Sequence, residues 1–166
     1  EEDATLEEEL EAVDNYIYIL NVRFAGDIHF SKKVECDVEN VRVPSMILQP
    51  VVENAVNHGI RNIDWEGHID LSVEKWNDHI EISVRDNGLG MTGEQIQRVL
   101  SKKVHSSSGV GDSTGIGMNN VISRLELYYE RDGLMEIYSE GEGMGTEVVI
   151  NIPLERSEKN VQNPDC

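Results

Sequence analysis

Apolar and polar positions along this chain repeat with two different periods, and the switches between them mark out its elements. Leu6, Leu10, Val13, Ile17, Leu20 and Phe24 follow one another at intervals of four, three, four, three and four. That spacing predicts a helix over 4–24 with an apolar seam of heptad type and Glu and Asp on its other faces. Either a second helix or the chain's own domain can cover such a seam. Gly26-Asp27 breaks the helix, and Ile28, Phe30 and Val34 then predict a strand over 28–36. Pro44-Ser45 reads as the start of a well-buried helix carrying Met46, Ile47, Leu48, Val51, Val52, Ala55 and Val56, and Gly59 reads as its end.

The period of two returns in 67–75 (Ile69, Leu71, Val73) and 79–85 (Ile80, Ile82, Val84). The short polar link Trp76-Asn77-Asp78 makes this pair a predicted hairpin. Residues 94–100 read as a short helix and 101–115, rich in Ser, Gly and Lys without an apolar period, as a mobile loop. Met118, Val121, Ile122, Leu125 and Tyr129 predict a helix over 117–130, and 134–139 with 145–152 a last hairpin. Hairpins interspersed with helices predict an α+β fold, a two-layer sandwich in which helices cover one face of one mixed sheet.

Charge narrows the partners. The 166 residues hold 32 acids against 14 Lys and Arg, a formal net charge of −18. Such a surface repels nucleic acid backbones, so no DNA or RNA partner is expected. It also repels any polyanionic ligand, which would need local donors. Residues 95–111 supply Arg98, Lys102, Lys103 and His105 and contain no acid. Cys36 and Cys166 form no bridge framework and no CxxC, which fits a reducing compartment. No apolar run approaches the ~20 residues that span a bilayer. The first residues are Glu-Glu rather than Met, so the chain is expected to be a piece of a longer protein.

Four patches carry candidate chemistry. Asn54 sits mid-helix among Val52, Ala55 and Val56. Its side-chain carbonyl is a hard oxygen suited to magnesium, although the same residue type is also an ordinary structural amide. Glu53 adjoins it and could orient a metal-bound water. Asn57 and His58, about a turn on, could reach phosphate or sugar. Asp86-Asn87-Gly88-Leu89-Gly90 places a carboxylate at a strand end and glycines that let main chain close on a ligand; equally, it is good turn chemistry. A carboxylate there can accept the exocyclic amine of adenine. Gly115-Ile116-Gly117-Met118-Asn119-Asn120 opens the 117–130 helix, where free N–H groups and the positive end of the dipole favour phosphate. It lacks the third glycine and the preceding strand of a dinucleotide fingerprint. Gly143-Met144-Gly145-Thr146 is a hairpin turn whose threonine could share the purine edge with Asp86.

Taken together these patches resemble a known family. PSMILQPVVENAVNHGI, VRDNGLGM, STGIGMNNVISRL and GMGTEVVINIP resemble the N, G1, G2 and GT boxes of the GHKL ATPases, and most closely those of LytS/YehU-type sensor histidine kinases. TLEEELEAVDNYIYILNVRF is similar to the segment preceding the ATPase domain in that branch, so the resemblance runs from about residue 5 to residue 154. It implies the Bergerat ATP-binding sandwich over 26–154, preceded in 1–25 by the end of a dimerisation helix and followed in 155–166 by a polar tail. It implies ATP and Mg2+ as ligands, with Asn54 on the metal, Asp86 and Thr146 on the adenine, and Gly88, Gly90 and Met91 around that pocket. Gly115 and Gly117, with Ile116 and Met118, would hinge an ATP lid over 92–114. Many relatives carry Lys where this chain has Asn57, so Lys102 or Lys103 would supply a phosphate contact.

The activity implied is transfer of the γ-phosphoryl of ATP to a histidine on an upstream helix, in the cytoplasmic part of a bacterial membrane sensor. The implied partners are that helix, a second copy in the full protein, and a response regulator. The five histidines are His29, His58, His68, His79 and His105, and none lies on the first helix. Two other readings stay open: an ATP-gated interaction module without phosphoryl transfer, and a GHKL hydrolase. Hydrolases usually place their carboxylate a helical turn before the metal Asn, where this chain has Pro50.

Overall fold

The computed structural model describes residues 3–23, 28–101 and 113–154, with only the backbone described at 113–116. A short strand β1 (Asp3–Thr5) leads into α1 (Leu6–Arg23), followed by β2 (Ile28–Val34), β3 (Arg42–Pro44) and α2 (Gln49–Asn54). α2 runs straight into a π-helical turn, Ala55–Ile60. β4 (Gly67–Lys75), β5 (His79–Asp86), α3 (Gly93–Leu100), α4 (Ser113–Tyr129), β6 (Met135–Tyr138) and β7 (Thr146–Pro153) complete the order.

The main sheet has the order β2-β4-β5-β7-β6. β2 runs parallel to β4, and every other pair is antiparallel, so the sheet is mixed as expected. Both predicted hairpins are present. The alternating residues Ile69, Leu71, Val73, Ile80, Ile82, Val84, Val148, Ile150 and Ile152 point to one face and are buried under the helices. Outward positions such as His68, Asp70 and Arg85 are exposed. The α+β sandwich is therefore built by strand alternation on one side and helical stripes on the other.

The seam of α1 faces this same core: Leu6, Leu10, Val13 and Ile17 are buried in it and Leu20 packs against it. The helix starts at Leu6 because Thr5 caps it, its hydroxyl accepting the Glu8 N–H at 3.1 Å. The residues before it pair with β3, Asp3 opposite Pro44, in a two-stranded sheet that the periodicity did not announce.

Three element boundaries differ from the expectation. Pro44 ends β3 instead of opening a helix, and the helix-start proline is Pro50, at the beginning of α2. Gly59 does not terminate its helix but lies inside the π turn, where Arg61 N–H bonds the Val56 carbonyl at 3.0 Å. α4 begins at Ser113, four residues before the glycine expected to open it. The loop over 101–115 falls mostly outside the described residues, as do Lys102, Lys103, His105 and the polar tail.

Candidate functional site

The inward face of the central strand ends in a charge. On β5 the buried series Ile80, Ile82, Val84 continues by parity to Asp86, which is 7% exposed. Its register partner on β7 is Thr146, equally buried, at the head of the series Val148, Ile150, Ile152. A carboxylate and a hydroxyl thus replace the last apolar pair of the core face. Asp86 Oδ1 accepts the Gly88 N–H at 2.9 Å. The N–H groups of Gly88 and Thr146 favour the carboxylate, but burial outweighs them and pushes its pKa up to about 6.

Main chain packs directly on this carboxyl. A Cβ at Gly59 would lie 2.8 Å from Asp86 Cγ, and one at Gly88 would lie 2.0 Å from the Gly59 carbonyl oxygen. A Cβ at Gly145 would lie 2.2 Å from the Asp86 carbonyl oxygen. Three backbones therefore meet around Asp86 with no room for side chains. Leu89 N–H bonds Gly59 O at 2.9 Å, Gly145 N–H bonds Gly88 O at 3.1 Å and Gly143 N–H bonds Leu89 O at 2.6 Å. Gly90 takes φ +75°, and a side chain there would strike Gly141 O at 2.1 Å.

The sequence motifs point to Asp86, Gly88, Gly90 and Thr146, but in the sequence Gly59 reads as a helix stop and Ser139 carries no signal. The Ser139 hydroxyl donates to Gly145 O at 2.6 Å and accepts the Met91 N–H at 3.0 Å, so it staples the last turn to the segment after Gly90. On the other flank Asn87 donates to Glu66 O at 2.8 Å and accepts the His68 N–H at 2.7 Å. A lone Ser or Asn carries no pattern; only the register of β5 with β4 and β7 brings these groups together.

Asn54 closes α2, on the segment that reaches Asp86 through Gly59. Its Oδ1 is buried and has no hydrogen-bond partner among the described residues. An orphaned buried carbonyl costs about 1–3 kcal/mol, which a cation would recover. Hard oxygen donors are what magnesium selects, so this atom fits the metal expected for the site.

The remaining candidates are distributed differently. Glu53 is half-buried and accepts from Gln49 Nε2 at 3.1 Å, and its charge, after burial, helps raise the pKa of Tyr16 on α1. Asn57 is exposed and lines a cavity of about 650 Å³ with Leu20, Ile28, Arg61 and Trp65; Asp86 is not among the lining residues. His58 is exposed.

On α4, Met118 is 2% exposed and its side chain belongs to the core. A Cβ at Gly117 would meet no described atom within 4 Å. Gly115 and Ile116 lie within the first turn of α4, which packs on α2. Arg124, set aside as a phosphate ligand, donates to Ser45 O at 2.7 Å. His29, exposed on β2, stacks on His68 with ring centroids 4.9 Å apart.

Over 156 residues the chain is 31% identical to the sensor histidine kinase/phosphatase LytS of Staphylococcus aureus (strain MRSA252), an alignment covering 93% of this chain and 26% of that protein. It is 30% identical over 164 residues to the sensor histidine kinase YpdA of Escherichia coli (strain K12), covering 95% and 26%. The chain thus spans about a quarter of the length of the curated relatives it matches.

Among solved structures, a nucleotide-free catalytic domain of the histidine kinase ThkA superposes with a TM-score of 0.63 at 20% identity, covering 91% of this chain and 95% of that one. The mycobacterial sensor histidine kinase MprB gives 0.63 at 18%, covering 92% and 96%. These show the shared fold. The family model described as histidine kinase-, DNA gyrase B-, and HSP90-like ATPase matches residues 42–156, and the chain belongs to that family.

Proposed function

We propose that this chain is the catalytic domain of a two-component sensor histidine kinase, which binds Mg-ATP and passes its γ-phosphoryl to a histidine on a helix upstream of α1. Nucleotide binding follows from the family; the metal, the acceptor and the partners are our reading. The observation that carries it is the carboxyl of Asp86, buried at the end of the central strand with the main chains of Gly59, Gly88 and Gly145 packed around it.

Asp86 and Thr146 would hold the adenine, the acid accepting its exocyclic amine. Asn54 would hold magnesium through Oδ1, and the ion when bound neutralises phosphate charge. That leaves positioning and exclusion of water to the chain itself, which is most of what phosphoryl transfer asks of a protein. The response regulator would take the phosphoryl from the acceptor histidine, and the full protein would act as a homodimer. The domain would face the cytoplasm of a bacterium. No described helix is long and apolar enough to cross a membrane, so any anchor would lie in other segments of the full protein.

The alternative activities separate in one experiment. The chain is mixed with labelled ATP and a separately made acceptor helix. Label on histidine supports the kinase. Free phosphate without acceptor supports a hydrolase, and binding without either product supports an ATP-gated module.

For the metal site, Asn54→Ala is expected to lower ATP affinity about tenfold with magnesium present and by less than twofold in chelator. Its melting temperature should stay level or rise, because the substitution removes a buried unpaired carbonyl. Equal affinity with and without the metal in both proteins would rule out Asn54 as a ligand.

A further inference from the structure

Four polar side chains among the described residues are buried: Glu9, Ser83, Asp86 and Thr146. Asp86 and Thr146 belong to the site, and Ser83 donates to Glu147 on the neighbouring strand at 3.0 Å. Glu9 belongs to no motif. It lies on α1, whose acids are expected at the surface, yet it is 6% exposed. Its Oε1 accepts the Ile47 N–H at 2.8 Å and the Leu48 N–H at 3.3 Å, and its Oε2 accepts the Met46 N–H at 3.2 Å.

Three successive N–H groups converge on one carboxylate. To aim its own N–H there, Met46 adopts φ 61°, a conformation a side chain rarely takes. The turn over 45–48 is the entrance of α2. Leu48, the cap position, has no side-chain cap bond and its carbonyl takes the Val51 N–H at 3.1 Å; Glu9 serves instead the three N–H groups that lead into the helix, 46–48. The same turn is held from its far side by Arg124 of α4 through Ser45 O.

α2 is short. Six residues separate the cap from Asn54, about 9 Å at ~1.5 Å per residue. A helix of that length transmits a shift of its entrance to its end almost undiminished. Beyond Asn54 the ladder loosens into the π turn, which can take up a residue's worth of mismatch before Gly59 docks on Leu89. The entrance of α2 is therefore one of the holds on Asn54, beside the core packing of Val51 and Val52.

We propose that Glu9 is a positioning residue for the metal half of the site: by gripping the entrance of α2 it sets where Asn54 Oδ1 lies, and so links the seating of α1 to metal-dependent nucleotide affinity. This rests on reading Asn54 as the magnesium ligand. In a receptor whose upstream helix is joined to α1 through β1, movement passed on to α1 would reach the phosphate side of the site before the adenine side.

The test uses the whole 166-residue chain. ATP affinity is measured by titration calorimetry in magnesium and in chelator, and the ratio of the two is the readout. Glu9→Gln keeps the shape but turns a donor toward the turn's N–H groups. Glu9→Asp keeps the charge but falls short of them. Both are expected to cut the ratio about tenfold while leaving affinity in chelator within twofold, the size seen when groups orienting a metal ligand are removed.

An unchanged ratio in a folded variant, or a parallel loss with and without metal, would overturn the proposal, since a merely structural carboxylate lowers both together. Failure of both variants to fold would assign Glu9 to stability alone and overturn it equally. Asn54→Ala serves as the reference. If Asn54→Ala leaves the ratio intact, the ligand assignment fails and the positioning role falls with it; if Asn54→Ala lowers the ratio and the Glu9 variants do not, the positioning role alone fails.

Discussion

Replacing Asp86 with Asn is expected to stabilise the nucleotide-free chain by about 1–3 kcal/mol at pH 7 while weakening ATP binding roughly 10–100-fold. Both halves come from one fact. Burial raises the Asp86 carboxyl from 3.8 to about 6, so the folded chain holds a proton that the unfolded chain releases more readily. The sign follows from that difference in proton binding. As pH rises from the ordinary carboxylate value to about 6, the unfolded chain ionises first and the folded state loses stability. Above about 6 the loss is complete, and two pKa units correspond to roughly 3 kcal/mol.

The amide avoids that cost but presents one acceptor where the carboxylate serves both Gly88 and Thr146, so part of the gain is lost. Urea denaturation of parent and variant across this pH range checks it. Their difference in stability should be largest at pH 7 and, below 3.8, fall to a pH-independent remainder set by the exchange of hydrogen-bonding groups. Reading the difference removes the general effect of titrating a chain of net charge −18. Ligand binding runs the other way. The adenine amine needs the ionised acid, so the parent's ATP affinity should hold above pH 6 and fall below it, while the variant's should stay flat. A variant that binds ATP like the parent would remove Asp86 from the adenine.

That a stability cost sits at Asp86 was half legible in the sequence. Alternation along β5 puts position 86 on the inward face, and an acid at an inward position is the kind of local inconsistency that marks a site. The Asn54 argument was of the same type, a polar residue inside an apolar run. The core was legible for the same reason, because periods of two and of 3.6 record which side chains leave water.

What stayed hidden depends on contacts between distant main chains. Gly59 reads as a helix stop because glycine after an apolar run usually is one. Only Asp86, brought against it across the sheet, reveals that the missing Cβ is what matters. Glu9 looks like one more acid among Glu7, Glu8 and Glu11; its place beside the seam, three residues after Leu6 and four before Val13, sets it apart, but only the 46–48 backbone shows what it serves. Pro44 and Pro50 both suit a helix start. The pairing of β1 with β3, set by tertiary contact, decided between them. At the far end Ser113 begins α4, and the glycine motif drew the boundary four residues late.

Two glycines that look alike in the sequence should respond with opposite sign. Gly88→Ala places a methyl 2.0 Å from the Gly59 carbonyl oxygen, 2.1 Å from its carbon and 2.5 Å from its Cα. All three are backbone atoms, and Gly59 cannot retreat because the Asp86 carboxyl lies against its other side. The main chain has to separate, breaking the Leu89–Gly59 and Gly145–Gly88 hydrogen bonds. The expected cost is about 4 kcal/mol or more, a large part of the ~5–15 kcal/mol that holds a domain folded.

Gly117→Ala meets no described atom within 4 Å and sits inside α4, where alanine is favoured over glycine, so a gain of about 0.5–1 kcal/mol is expected. If the backbone at Gly117 must approach phosphate, that stabilised variant should nevertheless bind ATP more weakly. Urea denaturation followed by circular dichroism, with ATP titration of whichever proteins fold, gives both answers. Gly88→Ala within 1 kcal/mol of the parent would mean that the segments bearing Gly59 and Gly88 are not in contact, and the cleft built on that contact would have to be redrawn.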